Sequence, residues 1–197
     1  EDYYQEIFIS TNIMLYGASY DQYRELLQDY QPDLVGISCV LSNRSDSVLN
    51  LCKITKEFDS EIITVLGGHH ATGAFEHLFQ GYTDYIMLGE ADHSFPQLVE
   101  NLNHGKDITQ VAGIVYLKDG HMIVQERTDL VKDLDSLPFP EWDIVGIDKY
   151  CKLGMSQMVP KAKSSRFAVM VSSRGCPHTC DYCAVPVHCG VKNYRRR

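Results

Sequence analysis

Short apolar runs alternate with segments of helical periodicity along the first hundred residues. Four compact runs rich in aliphatic and β-branched residues predict strands, at 6–10, 33–40, 61–66 and 84–88. The segments between them repeat apolar residues at helical spacing and predict helices at 21–30, 45–58, 72–79 and 95–102. This alternation predicts right-handed βαβ crossovers and therefore an α/β fold with a parallel sheet and flanking helices.

The run at 33–40 is apolar almost throughout, which is typical of a central parallel strand covered on both faces. In an open parallel sheet, ligands bind at the carboxyl ends of the strands. The loops at that edge are 38–43, 67–72 and 89–93. We therefore expect any ligand of this domain to contact these three loops.

The pattern changes after Gly105. Two strands, 111–116 and 122–125, are predicted to form a hairpin through a turn at Asp119-Gly120. We divide the chain into an α/β domain (1–105), a hairpin and linker (106–165), and the start of a further domain (166–197).

The stretch 129–165 is irregular and contains three prolines, so we interpret it as a linker that wraps one domain onto the next. Its expected anchors are four apolar residues, Leu137, Phe139, Trp142 and Ile144. Residues 167–171 are apolar throughout and predict a buried strand, and a cysteine-rich loop begins just beyond it.

Composition narrows the class of protein. The chain has 197 residues and a net charge of −8, which argues against a nucleic-acid-binding fold. No run of 18 apolar residues predicts a membrane span, and no charged-then-apolar leader opens the chain. Because the sequence starts at Glu1 and stops in mid-pattern, we expect a piece of a longer cytoplasmic protein.

Seven cysteines are present, and four of them cluster near the end of the sequence. Cys39 and Cys52 lie in apolar patterns and are predicted to be buried, reduced thiols. The cluster comprises Cys176, Cys180, Cys183 and Cys189. In a chain without a leader, such clustering indicates metal binding in a reducing compartment rather than disulfides.

The first three clustered cysteines have the spacing C-x3-C-x2-C. Thiolates are the usual ligands of iron–sulfur clusters, and three of them on a four-iron cube leave one iron open for a chelating substrate. The alternative is a zinc site completed by Cys189 or by a histidine, His178 or His188. A three-cysteine loop straight after a buried strand favours the cluster, and spacing alone leaves zinc open.

The loop strongly resembles the signature of the radical S-adenosylmethionine superfamily, C-x3-C-x-Φ-C, with Tyr182 at the aromatic position. The flanking Ser-Arg-Gly-Cys-Pro and Gly-Val-Lys-Asn-Tyr-Arg stretches resemble the branch that places a cobalamin-binding domain before the radical barrel. The resemblance implies a [4Fe-4S] cluster on Cys176, Cys180 and Cys183 that binds and reductively cleaves S-adenosylmethionine. It also implies that 167–171 is the first strand of a truncated barrel.

Residues 6–104 resemble the cobalamin domain of the same branch, which has a flavodoxin-like (Rossmann-type) sheet. The resemblance rests on Val-Gly-Ile-Ser-x-x-x-Ser at 35–42, Leu-Gly-Gly-His-His-Ala-Thr at 66–72 and Gly-Glu-Ala-Asp at 89–92. It implies cobalamin contacts at Ser38, Ser42, Gly67, Gly68, His69, Thr72, Gly89 and Glu90. The Asp-x-His-x-x-Gly motif that supplies a cobalt ligand in many cobalamin proteins is absent from the sequence.

Simpler structural roles are open for some of these residues. Gly67 and Gly68 could form a tight strand-to-helix turn, and Glu90 and Asp92 could cap the following helix. His69 is the nearest candidate for a cobalt ligand, although a loop histidine more often makes a hydrogen bond.

The resemblance implies an enzyme that acts on a small-molecule substrate by methyl transfer or oxidative cyclisation at an unactivated carbon. It implies a reducing partner such as a flavodoxin or ferredoxin, and no nucleic acid. The alternatives are a non-catalytic module that binds cobalamin or another nucleotide-tailed ligand, and a zinc-stabilised interaction domain.

Overall fold

The structure is a computed structural model that describes residues 5–10, 13–128, 130–152 and 166–197. Its strands are β1 (Gln5–Ser10), β2 (Ile13–Gly17), β3 (Leu34–Ser38), β4 (Ile63–Gly67), β5 (Tyr85–Met87), β6 (Ile114–Lys118), β7 (His121–Val124), β8 (Ser173–Arg174) and β9 (Arg195–Arg196). Its helices are α1 (Tyr20–Tyr30), α2 (Ser45–Phe58), α3 (His69–Gly73), α4 (Ser94–Asn103), α5 (Trp142–Val145), α6 (Ile147–Lys152) and α7 (Val185–Cys189). Single turns of 3-10 helix lie at Ser42–Arg44, Phe75–His77 and Leu134–Ser136.

A five-stranded sheet with the order β3-β4-β5-β6-β7 forms the centre of the fold. β3, β4 and β5 are parallel, whereas β6 and β7 run antiparallel to their neighbours. The predicted α/β sheet with flanking helices is confirmed. The prediction that 33–40 is a central strand was wrong, because β3 is the first strand of this order and leaves Gly36 and Ser38 exposed.

Both faces of the sheet are buried, and β4 shows how. Since successive side chains of a strand point to opposite faces, Leu66 joins one apolar cluster and Val65 joins the other. The first cluster includes Val48 and Cys52 of α2, and the second includes Leu98 of α4. Helices therefore cover the sheet on both sides, and the free, fully buried thiols predicted at positions 39 and 52 are confirmed.

The first strand–helix unit is partly as predicted. β1 confirms the predicted strand at 6–10, and it pairs antiparallel with β2, which the sequence pattern did not reveal. The helix predicted at 21–30 is confirmed as α1. Ser19 caps it in a capping box with Gln22, in which each side chain accepts from the other residue's backbone N–H.

The short helix predicted at 72–79 was wrong in its bounds. Helix α3 begins at His69 and ends at Gly73, and one 3-10 turn follows. The early start has a local cause. The backbone N–H groups of His70 and Ala71 donate to the Cys39 carbonyl, which draws the chain into a helical turn directly after β4.

The hairpin after Gly105 is confirmed, with strands at 114–118 and 121–124. Its turn residues Asp119 and Gly120 both have positive φ, 52° and 76°, which matches the right-handed twist of the flanking strands. β6 pairs with β5, so the hairpin extends the central sheet.

The linker anchors were partly mispredicted. Phe139 and Ile144 are 60% and 84% exposed, while the buried residues in the described part of this stretch are Val131, Leu134 and Cys151. Trp142 is half-buried, and its indole N–H donates to the Val169 carbonyl at 3.0 Å. Residues 153–165 of the predicted linker lie outside the described residues.

The buried strand predicted at 167–171 was also wrong. These residues belong to no strand in the described chain, and Val169, Met170 and Val171 are each more than half exposed. An apolar run becomes a buried parallel strand only where neighbours satisfy its backbone and cover its faces. No described segment pairs with it.

Within the described ranges, no helix has the length and apolar character that a membrane crossing requires.

Candidate cofactor site

The three predicted ligand loops meet at the carboxyl edge of β3, β4 and β5. The N–H of Cys39, which follows β3, donates to the Gly67 carbonyl at 2.7 Å. The Cys39 carbonyl in turn accepts from the His70 N–H at 3.0 Å. These backbone bonds join the first two loops into one surface, as the sequence predicts for strand ends of a parallel sheet.

The surroundings of the two adjacent glycines differ: the protein has room for a side chain at Gly67 but not at Gly68. Gly68 has φ +98°, and a Cβ there would lie 2.8 Å from the Cys39 carbonyl oxygen. The chain's own packing therefore requires a glycine, as the tight-turn alternative proposed. A Cβ on Gly67 would meet no heavy atom nearer than 3.9 Å. Nothing in the protein itself excludes a side chain there, so a glycine at this position leaves room for a ligand.

Hydroxyl and imidazole groups line the first two loops. The Ser38 and Ser42 residues are exposed at this edge. The Ser42 hydroxyl lies 3.0 Å from Nδ1 of His70. The surface therefore presents polar groups beside an open glycine backbone, which suits a polar ligand tail.

Thr72 connects the second and third loops from a buried position. Its hydroxyl donates to the Gly68 carbonyl at 2.9 Å and accepts from the Gly89 N–H at 2.9 Å. The same oxygen lies 3.3 Å from Nδ1 of His188, which belongs to α7 beyond the cysteine loop. Thr72 thus has a structural role at the predicted site.

His188 also contacts His69, the predicted cofactor residue. The two imidazole rings stack with their centroids 3.8 Å apart. Burial, followed by the neighbouring His69, lowers the pKa of His188 to about 4. His188 is therefore neutral at physiological pH, and α7 docks on the glycine-rich loop through an uncharged imidazole.

Glu90 and Asp92 do not cap α4, so that alternative was wrong: the cap residue is His93, without a side-chain bond. Arg174 donates to Asp92 through its two terminal nitrogens, Nη1 and Nη2, at 2.5 and 3.1 Å, and Nη1 also donates to Glu90 at 3.1 Å. Arg195 binds both Glu90 oxygens, with Nη1 at 3.0 Å from Oε2. These carboxylates therefore bind arginines from both ends of the cysteine loop.

The cysteine loop itself is partly open to solvent. Cys180 is exposed, Cys176 and Cys183 are half-buried, and Tyr182 is 92% exposed. The three cysteines are free thiols, and the Cys183 N–H donates to the Cys180 carbonyl at 3.1 Å. Three thiols on one accessible loop are the donor set that an iron–sulfur cluster uses, so the residues fit that group.

The zinc alternative requires a fourth donor in addition to the three loop cysteines. Tetrahedral zinc–thiolate bonds would bring the sulfurs to roughly 3.8 Å from one another. Burial raises the pKa of the Cys189 thiol, and His188 binds elsewhere. Of the three proposed fourth ligands, Cys189 and His188 are thus occupied or buried, whereas His178 lies exposed within the loop.

A cavity of about 1080 Å³ is lined by residues of the linker and of the unpaired run 167–171. Its walls are mainly apolar and include Phe139, Trp142 and Val169, together with the charged Asp92 and Arg174. This cavity does not include the glycine-rich loop.

Sequence reasoning missed the residues that join the two halves of the site. These are Arg127, Arg174, His188 and Arg195, of which Arg127 donates to the carbonyls of Val187 and His188 at 2.6 and 3.1 Å. Their partners lie 60 or more positions away in sequence. The sequence could have indicated two of them, because Arg174 and Arg195 occur inside the motif stretches that flank the cysteines.

Comparison with known proteins agrees with this geometry. Residues 6–99 match the family model described as the B12 binding domain. The cytidylyl-2-hydroxyethylphosphonate methyltransferase of Streptomyces wedmorensis is 29% identical over 100% of this chain and 41% of its own length. The anaerobic magnesium-protoporphyrin IX monomethyl ester cyclase of Rubrivivax gelatinosus is 30% identical over 89% of this chain and 31% of its own.

Among solved structures, the cobalamin-dependent S-adenosylmethionine radical enzyme OxsB, with aqua-cobalamin and S-adenosylmethionine bound, superposes with a TM-score of 0.72. It is 21% identical, and the match covers 91% of this chain and 23% of OxsB. The chain thus spans between about a third and two fifths of the curated relatives named above.

The fold, the match over 6–99 and the cysteine loop that follows it agree with one another. The chain belongs to the cobalamin-binding-domain branch of the radical S-adenosylmethionine superfamily, and it carries the B12-binding domain of that branch.

Proposed function

We propose that this chain is the cobalamin-binding and cluster-carrying part of a radical S-adenosylmethionine enzyme. The observation that carries the proposal is the placement of the cysteine loop. Ion pairs from Arg174 and Arg195 to Glu90 hold its base against the loop that ends β5. The two elements to which we assign cofactors of different chemistry are thereby held next to each other, which supports the proposal.

In this proposal, Cys176, Cys180 and Cys183 hold a [4Fe-4S] cluster, and Tyr182 lines the bound S-adenosylmethionine. When bound, such a cluster would supply the single electron for reductive cleavage of S-adenosylmethionine, and these three thiolates would hold it with one iron left open. The protein orients the cofactors and excludes water. A flavodoxin or ferredoxin would supply the electron.

Cobalamin is proposed to bind across the strand ends. Ser38 and Ser42 offer hydroxyls to its tail, and Gly67 leaves room for close approach. Of the predicted cobalamin contacts, Thr72, Gly89 and Glu90 are already bonded within the protein, so we expect them to shape the site. Because the imidazole of His69 stacks on that of His188, we do not propose His69 as a cobalt ligand.

The relatives indicate two reaction types. One relative is named as a methyltransferase and another as a cyclase, and both act on small molecules by their names. We propose methyl transfer or oxidative cyclisation of a small-molecule substrate, which product analysis of the whole enzyme would separate.

Anaerobic reconstitution of the chain with iron and sulfide tests the cluster. We expect about four irons per polypeptide and absorbance near 400 nm, as for a thiolate-bound cube. Cys176→Ala should lose both. Cys189→Ala is the matched control, because the cluster proposal leaves that thiol out and the zinc alternative uses it. One equivalent of zinc in place of the four irons would contradict the proposal, and its loss in Cys189→Ala would show that Cys189 completes the zinc site.

Titration with hydroxocobalamin tests the other half. We expect a shift in the visible spectrum that saturates at one equivalent. Gly67→Ala should weaken binding while leaving the urea midpoint near that of the wild type, because its Cβ meets nothing closer than 3.9 Å. Cobalamin binding without any iron uptake would favour the non-catalytic module instead.

A further inference from the structure

The cysteine loop is part of a longer excursion, residues 175–194, that leaves and rejoins the protein at one point. β8 and β9 form its base, where Arg174 is the direct register partner of Arg195. Next to them, Gly175 approaches Asn193 so closely that a Cβ on Gly175 would lie 1.5 Å from the Asn193 carbonyl oxygen. The position of this base therefore decides where the three cysteines and α7 lie.

The two arginines at the base of the excursion repel each other. Like charges directly opposite each other on neighbouring strands repel. Arg195 is 9% exposed and Arg174 is 25% exposed as side chains, so water screens this repulsion poorly. An isolated two-residue strand pair has few hydrogen bonds with which to oppose it.

Two carboxylates compensate these cations: Asp92 binds Arg174 through both terminal nitrogens, and Glu90 contacts both arginines. Oε2 of Glu90 accepts from Nη1 of Arg174 at 3.1 Å and from Nη1 of Arg195 at 3.0 Å, and Oε1 accepts from Arg195 Nη2. The Glu90 side chain is 4% exposed. Both oxygens are therefore occupied inside the protein, which leaves Glu90 little capacity to bind a cofactor.

Glu90 is itself attached to the sheet edge. It follows Gly89, whose N–H donates to the Thr72 hydroxyl at 2.9 Å. A Cβ on Gly89 would lie 3.2 Å from the Arg127 side chain, so the backbone at this point is closely surrounded. The carboxylate thus transmits the position of the B12-binding domain to the base of the excursion.

We propose that Glu90 is a positioning residue that, held between Arg174 and Arg195, fixes the cysteine-bearing excursion against the B12-binding domain. We call these three residues the arginine clamp. In the enzyme, the clamp would set the separation of cluster and cobalamin. That last step rests on the proposed function, whereas the clamp's hold on the excursion does not.

Thiol modification of the metal-free chain tests the clamp. Cys189 lies within the excursion and is 8% exposed, Cys52 lies in the domain core at 0%, and Cys180 is already exposed. Rates of alkylation at each thiol can be followed by peptide mass spectrometry. We expect Glu90→Gln to speed modification of Cys189 by about tenfold or more, since the excursion then opens locally, with Cys52 and Cys180 unchanged.

A change in thiol ionisation is a competing explanation, and a second variant separates it. Burial raises the pKa of Cys189 first, and the charge of Glu90 raises it further, while Arg174 lowers it. Glu90→Gln would therefore speed modification through ionisation alone, but Arg174→Met would slow it. Opening of the clamp predicts faster modification in both. Slower or unchanged modification in Arg174→Met would overturn the proposal.

Arg24→Met is the matched control, because it removes an arginine from an exposed ion pair with Asp21 far along the sequence. We expect it to leave all three thiols unchanged. If Glu90→Gln speeds Cys52 as well, it has destabilised the whole domain, and Arg174→Met then decides alone. Because this assay uses no metal, failure to assemble a cluster would refute the proposed function without affecting the clamp.

Discussion

Acidification should destabilise this protein through His188, a buried neutral imidazole. Its pKa is lowered from 6.5 to about 4, first by burial and then by His69. In the unfolded chain the same imidazole takes up a proton near the ordinary value of about 6.5. Since the unfolded state binds more protons between these values, the free energy of unfolding falls as the pH falls through that window, and is unaffected above it.

The size of the effect follows from the two pKa values. Each unit of difference is worth about 1.4 kcal/mol once the pH is below the folded-state pKa. Linkage then gives a loss of roughly 1 kcal/mol at about pH 5.5 and roughly 2 to 3 kcal/mol at about pH 4.5, relative to about pH 7.5. That is a sizeable part of the stability of about 5 to 15 kcal/mol that a domain usually has.

Urea unfolding of wild type and His188→Asn, followed by circular dichroism at each pH, measures this loss. Asparagine keeps a donor toward Thr72 but does not titrate, so subtracting its curve removes the contribution of every other group. The charged or titratable neighbours that face His188 are His69, Glu90, Arg127 and Arg174. We expect the wild-type free energy of unfolding to fall more steeply than that of the variant below about pH 6.5.

Two parallel curves across the whole range would refute this reasoning. A second variant, His69→Asn, gives an independent check. Electrostatic repulsion from His69 helps to lower the pKa of His188. Removing His69 should therefore bring the folded-state pKa of His188 closer to its unfolded value and reduce the loss of unfolding free energy in acid.

Two further changes test the glycine-rich loop. Gly68→Ala should cost roughly 2 to 4 kcal/mol of unfolding free energy, because its Cβ would meet the Cys39 carbonyl at 2.8 Å at a φ of +98°. Gly73→Ala, whose Cβ meets nothing within 4 Å, is the control and should change stability by less than about 0.5 kcal/mol. Thr72→Val should cost roughly 1 to 3 kcal/mol, because it leaves the buried Gly89 N–H without its acceptor.

Urea midpoints measure both changes. Equal losses in the two glycine variants would show that the close approach to Cys39 does not govern stability. A Thr72→Val protein as stable as the wild type would show that water replaces the hydroxyl.

The sheet and its hairpin could be predicted because their signals are local. Alternation along β4 divides Val65 from Leu66 between the two faces, and Asp119-Gly120 is a turn sequence that carries its own backbone preference. The run 167–171 has an equally strong apolar pattern. A strand also needs neighbouring strands, however, and the sequence of the run does not show whether they are present.

The candidate site was predictable in its loops and less so in its contacts. Strand-end position indicated the surface around Gly67, since parallel strands bring their carboxyl ends together. The partners of Glu90 could not be predicted. Arg174 and Arg195 lie 84 and 105 positions away, and no periodicity relates them to the carboxylate. Only the docking of the excursion selects which acidic residue they meet.

The bridging hydroxyl of Thr72 has a consequence for the tautomer of His188. A threonine hydroxyl carries a single proton, and here that proton goes to the Gly68 carbonyl. The oxygen can therefore only accept at 3.3 Å from the ring, which requires Nδ1 to be the protonated nitrogen. His188 is thus fixed as one neutral tautomer, with the lone pair on Nε2 directed away from the threonine.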